Sequence, residues 1–292
     1  MPDLIYIIYA ALAGIVQGIT EWLPISSTGH LILLESLFGG SLDPAILTSE
    51  FKEMFDVVIQ FGSIMAIVVL YFRRLNPFAL SKSKEEKRET WSLWAKILIA
   101  AVPAGIIGVL FDDKLSETVF KDPQVKYIIA AALFFYGVLF IIIERKNKNK
   151  VYRITEPEGI DYKTALGIGA FQVLALIPGT SRSGSTIIGS TILGVSRKAA
   201  AEFSFFLAIP VMLGASGLKI VKFIGGAEGG IASAFNSTQL IVLAIGTVVS
   251  FLVSLAAVKF LVGFVRRHSF EGFGWYRIAL AAVVVVYFAL IK

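Results

Sequence analysis

Two polar knots interrupt an otherwise apolar chain, and both are rich in residues able to handle a phosphate. The first, Gly18 to Leu31 (GITEWLPISSTGHL), places Glu21, Ser26, Ser27, Thr28 and His30 within ten residues. Gln17 and Glu21 are spaced i, i+4 and share one face of a helix. A carboxylate in an apolar segment is costly, so Glu21 is expected to be a metal ligand or a general base, and Gln17 a second ligand or a packing residue. Ser26 follows Pro24, where a new half-helix should begin, and suits an N-cap. Ser27 lies three residues before His30, a nucleophile–base spacing. The second knot, Pro178 to Thr186 (PGTSRSGST), offers hydroxyls at Thr180, Ser181, Ser183, Ser185 and Thr186. Gly179 and Gly184 would let the backbone approach a ligand. Arg182 adds a permanent charge and a planar fork that matches phosphate, at a helix N-terminus that favours anions. Arg182 could also pair with Glu21 or Glu202.

The rest of the chain must hold these knots in place. Of 292 residues, 56% are hydrophobic and only 16% charged, and the mean hydropathy is +0.78. Soluble domains carry about 25% charged residues, so the composition indicates an all-α polytopic membrane protein. The net charge of +6 is the charge of cytoplasmic loops and not of a nucleic-acid-binding surface. Absence of cysteine excludes disulfides, thiolate metal sites and a cysteine nucleophile. Ala11-Leu12-Ala13 loosely mimics a signal-peptidase site, but polar residues follow at once and no cleavage is expected.

Ten apolar segments are present: Leu4 to Gln17, His30 to Phe38, Phe55 to Phe72, Trp91 to Phe111, Tyr127 to Ile143, Ala165 to Ile177, Ile187 to Val195, Phe203 to Phe223, Leu240 to Phe260 and Trp275 to Ile291. Six approach the roughly 17–25 residues of a spanning helix. The other four form two short pairs, each flanking a knot, and predict re-entrant hairpins over about 4–38 and 165–195. Irregular backbone at membrane depth requires protein or a wet cavity around it. The loops Arg73 to Lys96 and Arg145 to Lys163 are strongly basic, and Arg197, Lys198, Lys259, Arg266 and Arg267 add to them. The loops Asp112 to Asp122 and Gly225 to Gln239 are acidic or neutral. This pattern puts the basic loops in the cytoplasm and both termini outside. An offset of 155 aligns Ser26-Ser27-Thr28-Gly29 with Ser181-Arg182-Ser183-Gly184, and Gln17 with Gln172. Each half, residues 1–150 and 151–292, would carry a hairpin and three spans, an odd number of crossings. The halves should therefore be inverted repeats within one membrane domain, with a site near their pseudo-two-fold axis.

These motifs resemble the undecaprenyl-diphosphate phosphatase family, the bacitracin-resistance type. The family's (E/Q)xxxE pattern is present as Gln17 to Glu21, its SSTGH stretch as Ser26 to His30, and its PGxSRSxxT motif as Pro178 to Thr186. The resemblance runs over nearly the whole chain. It implies a bacterial inner-membrane hydrolase that removes the terminal phosphate of undecaprenyl diphosphate, giving the carrier lipid for peptidoglycan synthesis. It also implies a site open to the outer face, a divalent cation (magnesium or calcium) on Glu21 and Gln17, and a polyprenyl diphosphate partner. A homodimer is compatible with it. By carry-over, Glu21, Ser27, His30 and Arg182 are catalytic, while Ser26, Thr28, Gly179, Ser181, Ser183 and Thr186 join Arg182 around the phosphate. Gln at position 17 puts more load on Glu21, with Glu53 or Glu202 as candidate helpers. Either Ser27 attacks with His30 as base, or His30 and Glu21 activate water. Phe134, Phe135, Phe203, Phe205 and Phe206 could line an exit for the lipid tail. The competing reading is a polyprenyl-lipid or anion transporter, since transporters also use broken helices in inverted repeats.

Overall fold

A computed structural model describes residues 4–38, 41–43, 46–115, 124–225 and 235–290. Most of the two loops expected to be acidic or neutral lies outside these residues. The described chain is all helix apart from turns and one isolated bridge. In order the helices are α1 Leu4–Thr20, α2 Ser27–Phe38, α3 Ser49–Leu70, α4 Phe72–Leu75, α5 Lys84–Leu115, α6 Val125–Lys146, α7 Tyr162–Val173, α8 Arg182–Ile192, α9 Arg197–Gly225, α10 Ser237–Val265 and α11 Glu271–Leu290.

Six helices are long and apolar enough to cross a membrane: α3, α5, α6, α9, α10 and α11. They match the six long segments of the sequence. α1, α2, α7 and α8 have 17, 12, 12 and 11 residues. At 1.5 Å rise per residue, none but α1 nears the roughly 30 Å of a bilayer core, and α1 stops at a turn before Pro24.

The outer surface is apolar, with Val109, Leu110, Phe135, Val221 and Leu240 among the exposed side chains, as lipid-facing helices require. Inside, α1 packs on α10, α3 on both α9 and α10, α7 on α5, and α6 on α11. Close helix approach depends on small residues. At Gly137 a Cβ would stand 2.7 Å from the Gly274 carbonyl oxygen, and a Cβ at Gly274 would stand 2.7 Å from that of Gly137. This pair fixes how closely α11 lies against α6.

Ion pairs gather the basic loops at one end of the bundle. Arg197 of α9 pairs with Glu144 of α6 (2.9 Å), and Arg145 of α6 with Glu271 of α11 (2.8 Å). Arg74 of α4 grips both oxygens of Glu158 at 2.7 Å and reaches Glu202 of α9 at 2.8 Å. The hairpin α7–α8 starts and ends at this same face, where Ile154 exchanges main-chain hydrogen bonds with Gly194 and Ser196. At the opposite end, Lys219 of α9 meets Glu53 of α3 at 3.2 Å. α3 and α9 therefore run antiparallel.

Glu158, in a turn outside the spans, titrates below the usual carboxylate range. Burial pushes it up, but the Arg74 hydrogen bonds and charge outweigh this and pull it down. A depressed folded-state pKa stabilises the fold at pH above the unfolded value, and that stability is lost as pH falls through the folded value. Melting temperature in detergent should therefore fall as pH drops below about 4.3. Glu158→Gln should flatten that part of the profile, and an unchanged slope would contradict the assignment.

Candidate active site

Each knot breaks a hairpin in the same way. Pro24 cannot supply a helical N–H and disfavours helix before it, so the chain turns over residues 21–25 and restarts at Ser27. The expected half-helix starts thus fall slightly later, at Ser27 and Arg182, with Ser26 and Ser181 as the caps. Gly29 N–H donates to Ser26 Oγ (3.4 Å), and Gly184 N–H to Ser181 Oγ (3.2 Å). Both serines have φ +73°, the only non-glycine residues with positive φ among those described. Such backbone costs about 1–3 kcal/mol where it occurs and persists only where the surroundings impose it, commonly at functional sites.

The two breaks meet. Glu21 is the hub: Gln17 Nε2 donates to its Oε2 at 2.9 Å, Ser27 Oγ to the same oxygen at 3.3 Å, and Arg182 Nη2 to its Oε1 at 3.2 Å. Ser183 Oγ donates to the Glu21 carbonyl at 3.1 Å. Arg182 Nη1 donates to the Ser204 carbonyl of α9 at 2.7 Å, and its guanidinium sits 5.8 Å from the Trp22 ring centroid. Arg182 Nε and Gln17 Oε1 are buried without a partner. Glu21 and Arg182 side chains are only 7% and 11% exposed, so this is a dehydrated ion pair with unused donor and acceptor capacity.

Several expectations change. His30 makes no hydrogen bond to Ser27. Its Nδ1–H donates to the Ser26 carbonyl (2.7 Å), and its Nε2 faces the Tyr276 hydroxyl (2.7 Å) with the rings stacked. A carbonyl only accepts, which requires a proton on Nδ1. Gly179, at φ +90°, admits α6 and not a ligand: a Cβ there would lie 2.7 Å from Ile129 backbone. Around Gly184 the crowding atoms are Ser181 and Arg277 Nη1. Thr186 bonds the Arg182 carbonyl and Ser204 Oγ, holding α8 to α9. Ser181 bonds Ser183 Oγ. Thr28 is exposed and Ser27 half-buried. Glu53 and Glu202 pair with Lys219 and Arg74 and not with the Glu21 cluster. Phe203, Phe205 and Phe206 are fully buried, Phe205 edge-on to Trp22, while Phe134 and Phe135 are exposed; the three phenylalanines of α9 pack the core and line no exit.

Four contributors were missed in the sequence: Trp22, Ser204, Tyr276 and Arg277. Only Arg277 carried a usable signal, a charge near the start of an apolar span. Among the described residues no group of three or more His, Cys, Asp or Glu can hold a metal ion. The oxygens on offer to a hard cation are those of Glu21 and the free Gln17 Oε1.

The pattern of the family described as bacitracin resistance protein BacA matches residues 10–283. An undecaprenyl-diphosphatase of Acetivibrio thermocellus is 53% identical over 98% of this chain and 99% of its own length. One of Enterococcus faecalis is 51% identical over 95% and 96%, and undecaprenyl-diphosphatase 1 of Clostridioides difficile is 48% identical over 99% and 98%. The chain belongs to the bacitracin resistance protein BacA family.

Proposed function

We propose that this chain is an undecaprenyl-diphosphate phosphatase, an integral membrane hydrolase that releases the terminal phosphate and leaves undecaprenyl phosphate. The observation that carries the reading is the three-way contact of Ser27, Glu21 and Arg182 across the two breaks. Phosphoryl transfer needs positioning and stabilisation of charge on the equatorial oxygens. Arg182 and the N-termini of α2 and α8 provide that stabilisation. Ser27 Oγ attacks the terminal phosphorus, and its proton passes to Glu21 Oε2. The bond from phosphorus to the bridging oxygen breaks, its electrons leaving on undecaprenyl phosphate. Water then attacks the phosphoserine phosphorus, the bond from phosphorus to Ser27 Oγ breaks, Oγ takes back the proton held by Glu21, and inorganic phosphate leaves. His30, tied at both nitrogens, orients Ser26 and the start of α2. The base role thus moves to Glu21, whose carboxylate is the acceptor within reach of Ser27.

Glu21 and the unpartnered Gln17 Oε1 would hold a magnesium or calcium ion, a hard cation that takes oxygen ligands. When bound, the ion would neutralise phosphate charge.

Inverted repeats underlie this site. The positive-φ serines at 26 and 181, their matching cap bonds and the antiparallel α3–α9 pair support that reading. Opposite hairpin entry also supports it: α7–α8 opens at the basic face, and α1–α2 belongs to the other end. By the excess of basic residues the face carrying Arg74, Arg145 and Arg197 is cytoplasmic. The site then opens through Thr28 and Tyr276 toward the outer side.

The test is phosphate release from undecaprenyl diphosphate by purified protein in detergent, with and without chelator. Release that falls on chelation and returns with magnesium or calcium is expected. No release from folded protein under either condition would overturn the assignment, and lipid flux that survives Ser27→Ala would favour a transporter.

A further inference from the structure

Arg277, in the second turn of α11, is the most buried charged side chain among the described residues. Among the described residues no carboxylate pairs with it. Nη1 donates to the Pro24 carbonyl at 3.2 Å. Nη2 donates to the carbonyls of Gly179 (2.9 Å) and Thr180 (3.0 Å), and weakly to Ala132 (3.5 Å). Its guanidinium lies 5.5 Å from the Tyr136 ring centroid, and Nε has no partner. A lone cation in so apolar a place is costly unless something answers its charge. Here the answer is main-chain dipole. Pro24 belongs to the turn after α1, and Gly179 and Thr180 to the turn after α7. Both turns follow the C-terminal, partly negative ends of half-helices.

One planar fork therefore ties both breaks together, one nitrogen to each. Lysine, a point charge on a flexible stem, cannot reproduce this. The charge has a second consequence. Glu21 neutralises Arg182, so Arg277 leaves the region of the breaks with one positive charge in surplus. The preceding residue, Tyr276, holds His30, so two consecutive residues of α11 serve the site.

We propose that Arg277 is a positioning residue for the hydrolysis: its fork holds the breaks so that Glu21 and Ser27 meet Arg182, and its surplus charge draws the diphosphate into the space between them. The proposal rests on the reading above, and the two are separable by experiment. Arg277→Lys keeps the charge and loses the fork; Arg277→Gln loses both. With undecaprenyl diphosphate as substrate, Arg277→Lys should lower kcat by about 10²-fold, the size of loss that follows a misplacement near 1 Å. Its KM should stay within about threefold, because the charge remains. Arg277→Gln should show the same fall in kcat and a KM raised about tenfold.

A distance measurement reads the positioning directly. The chain has no cysteine, so Leu37→Cys on α2 and Ile192→Cys on α8, both exposed, can carry spin labels without competition. The distance distribution between them should broaden in Arg277→Lys. Wild-type kcat together with an unbroadened distribution in folded Arg277→Lys overturns the proposal. Equal KM values for the Lys and Gln variants overturn its electrostatic half. A Gln variant that does not fold leaves the Lys arm and the distance measurement decisive. Wild-type protein that releases no phosphate sinks the phosphatase reading instead, and the distance measurement still tests the clamp.

Discussion

Arg182→Ala is expected to lose essentially all phosphate release, with kcat/KM down by at least about 10³-fold, the scale of removing a principal transition-state charge donor. The guanidinium is the site's fixed positive charge in contact with Glu21, and its Nε is buried without a partner. The same substitution strands Glu21, which is only 7% exposed. Breaking a buried pair from one side costs about 3–5 kcal/mol, so the variant should also melt lower. Arg182→Lys should recover part of the stability and little of the rate, since one ammonium cannot serve Glu21, the Ser204 carbonyl and a phosphate together. Parallel kinetics and melting curves check this. A variant that is destabilised yet turns over normally would make Arg182 a structural residue.

The second large effect is at the nucleophile and its base. Ser27→Ala should lower kcat by about 10³-fold or more, and Glu21→Gln by about 10²–10⁴-fold, the range of general-base catalysis. Both substitutions nearly conserve shape. In wild-type protein, rapid acid quench during turnover should trap phosphate on Ser27, and no label should be trapped in Ser27→Ala. His30→Gln should be milder than either, because His30 bonds Ser26 and Tyr276 and not Ser27. A His30 variant as impaired as Ser27→Ala, with no trapped phosphoserine in wild type, would return the base role to the imidazole and the attack to water.

The fold was legible where it depends on counting. Runs of apolar residues separate six spanning helices from four short ones, and Pro24 and Pro178 mark where the short ones break. The Glu21–Arg182 pairing was legible too, since each charge lay in an apolar stretch and required a partner. What escaped was set by long-range contact. Ser27 and His30 stand at a catalytic spacing, yet His30 turns back to the carbonyl four residues earlier because the restart of α2 leaves that acceptor nearby. Gly179 looked like room for a ligand and is occupied by α6. Ser204 and Tyr276 reach the site from α9 and α11, and no local pattern marks them. Arg277 was visible as a charge inside a span, but its carbonyl partners lie 97 or more positions away.

The central claim is that the two breaks form one catalytic unit. It is tested most directly by a double-mutant cycle on phosphate release with Ser27→Ala, Arg182→Ala and the combination. Groups that act together are strongly non-additive, so the double variant should be no slower than the slower single variant. Losses that multiply, or a single variant that keeps near wild-type turnover, would show that the two breaks work apart and would contradict the account.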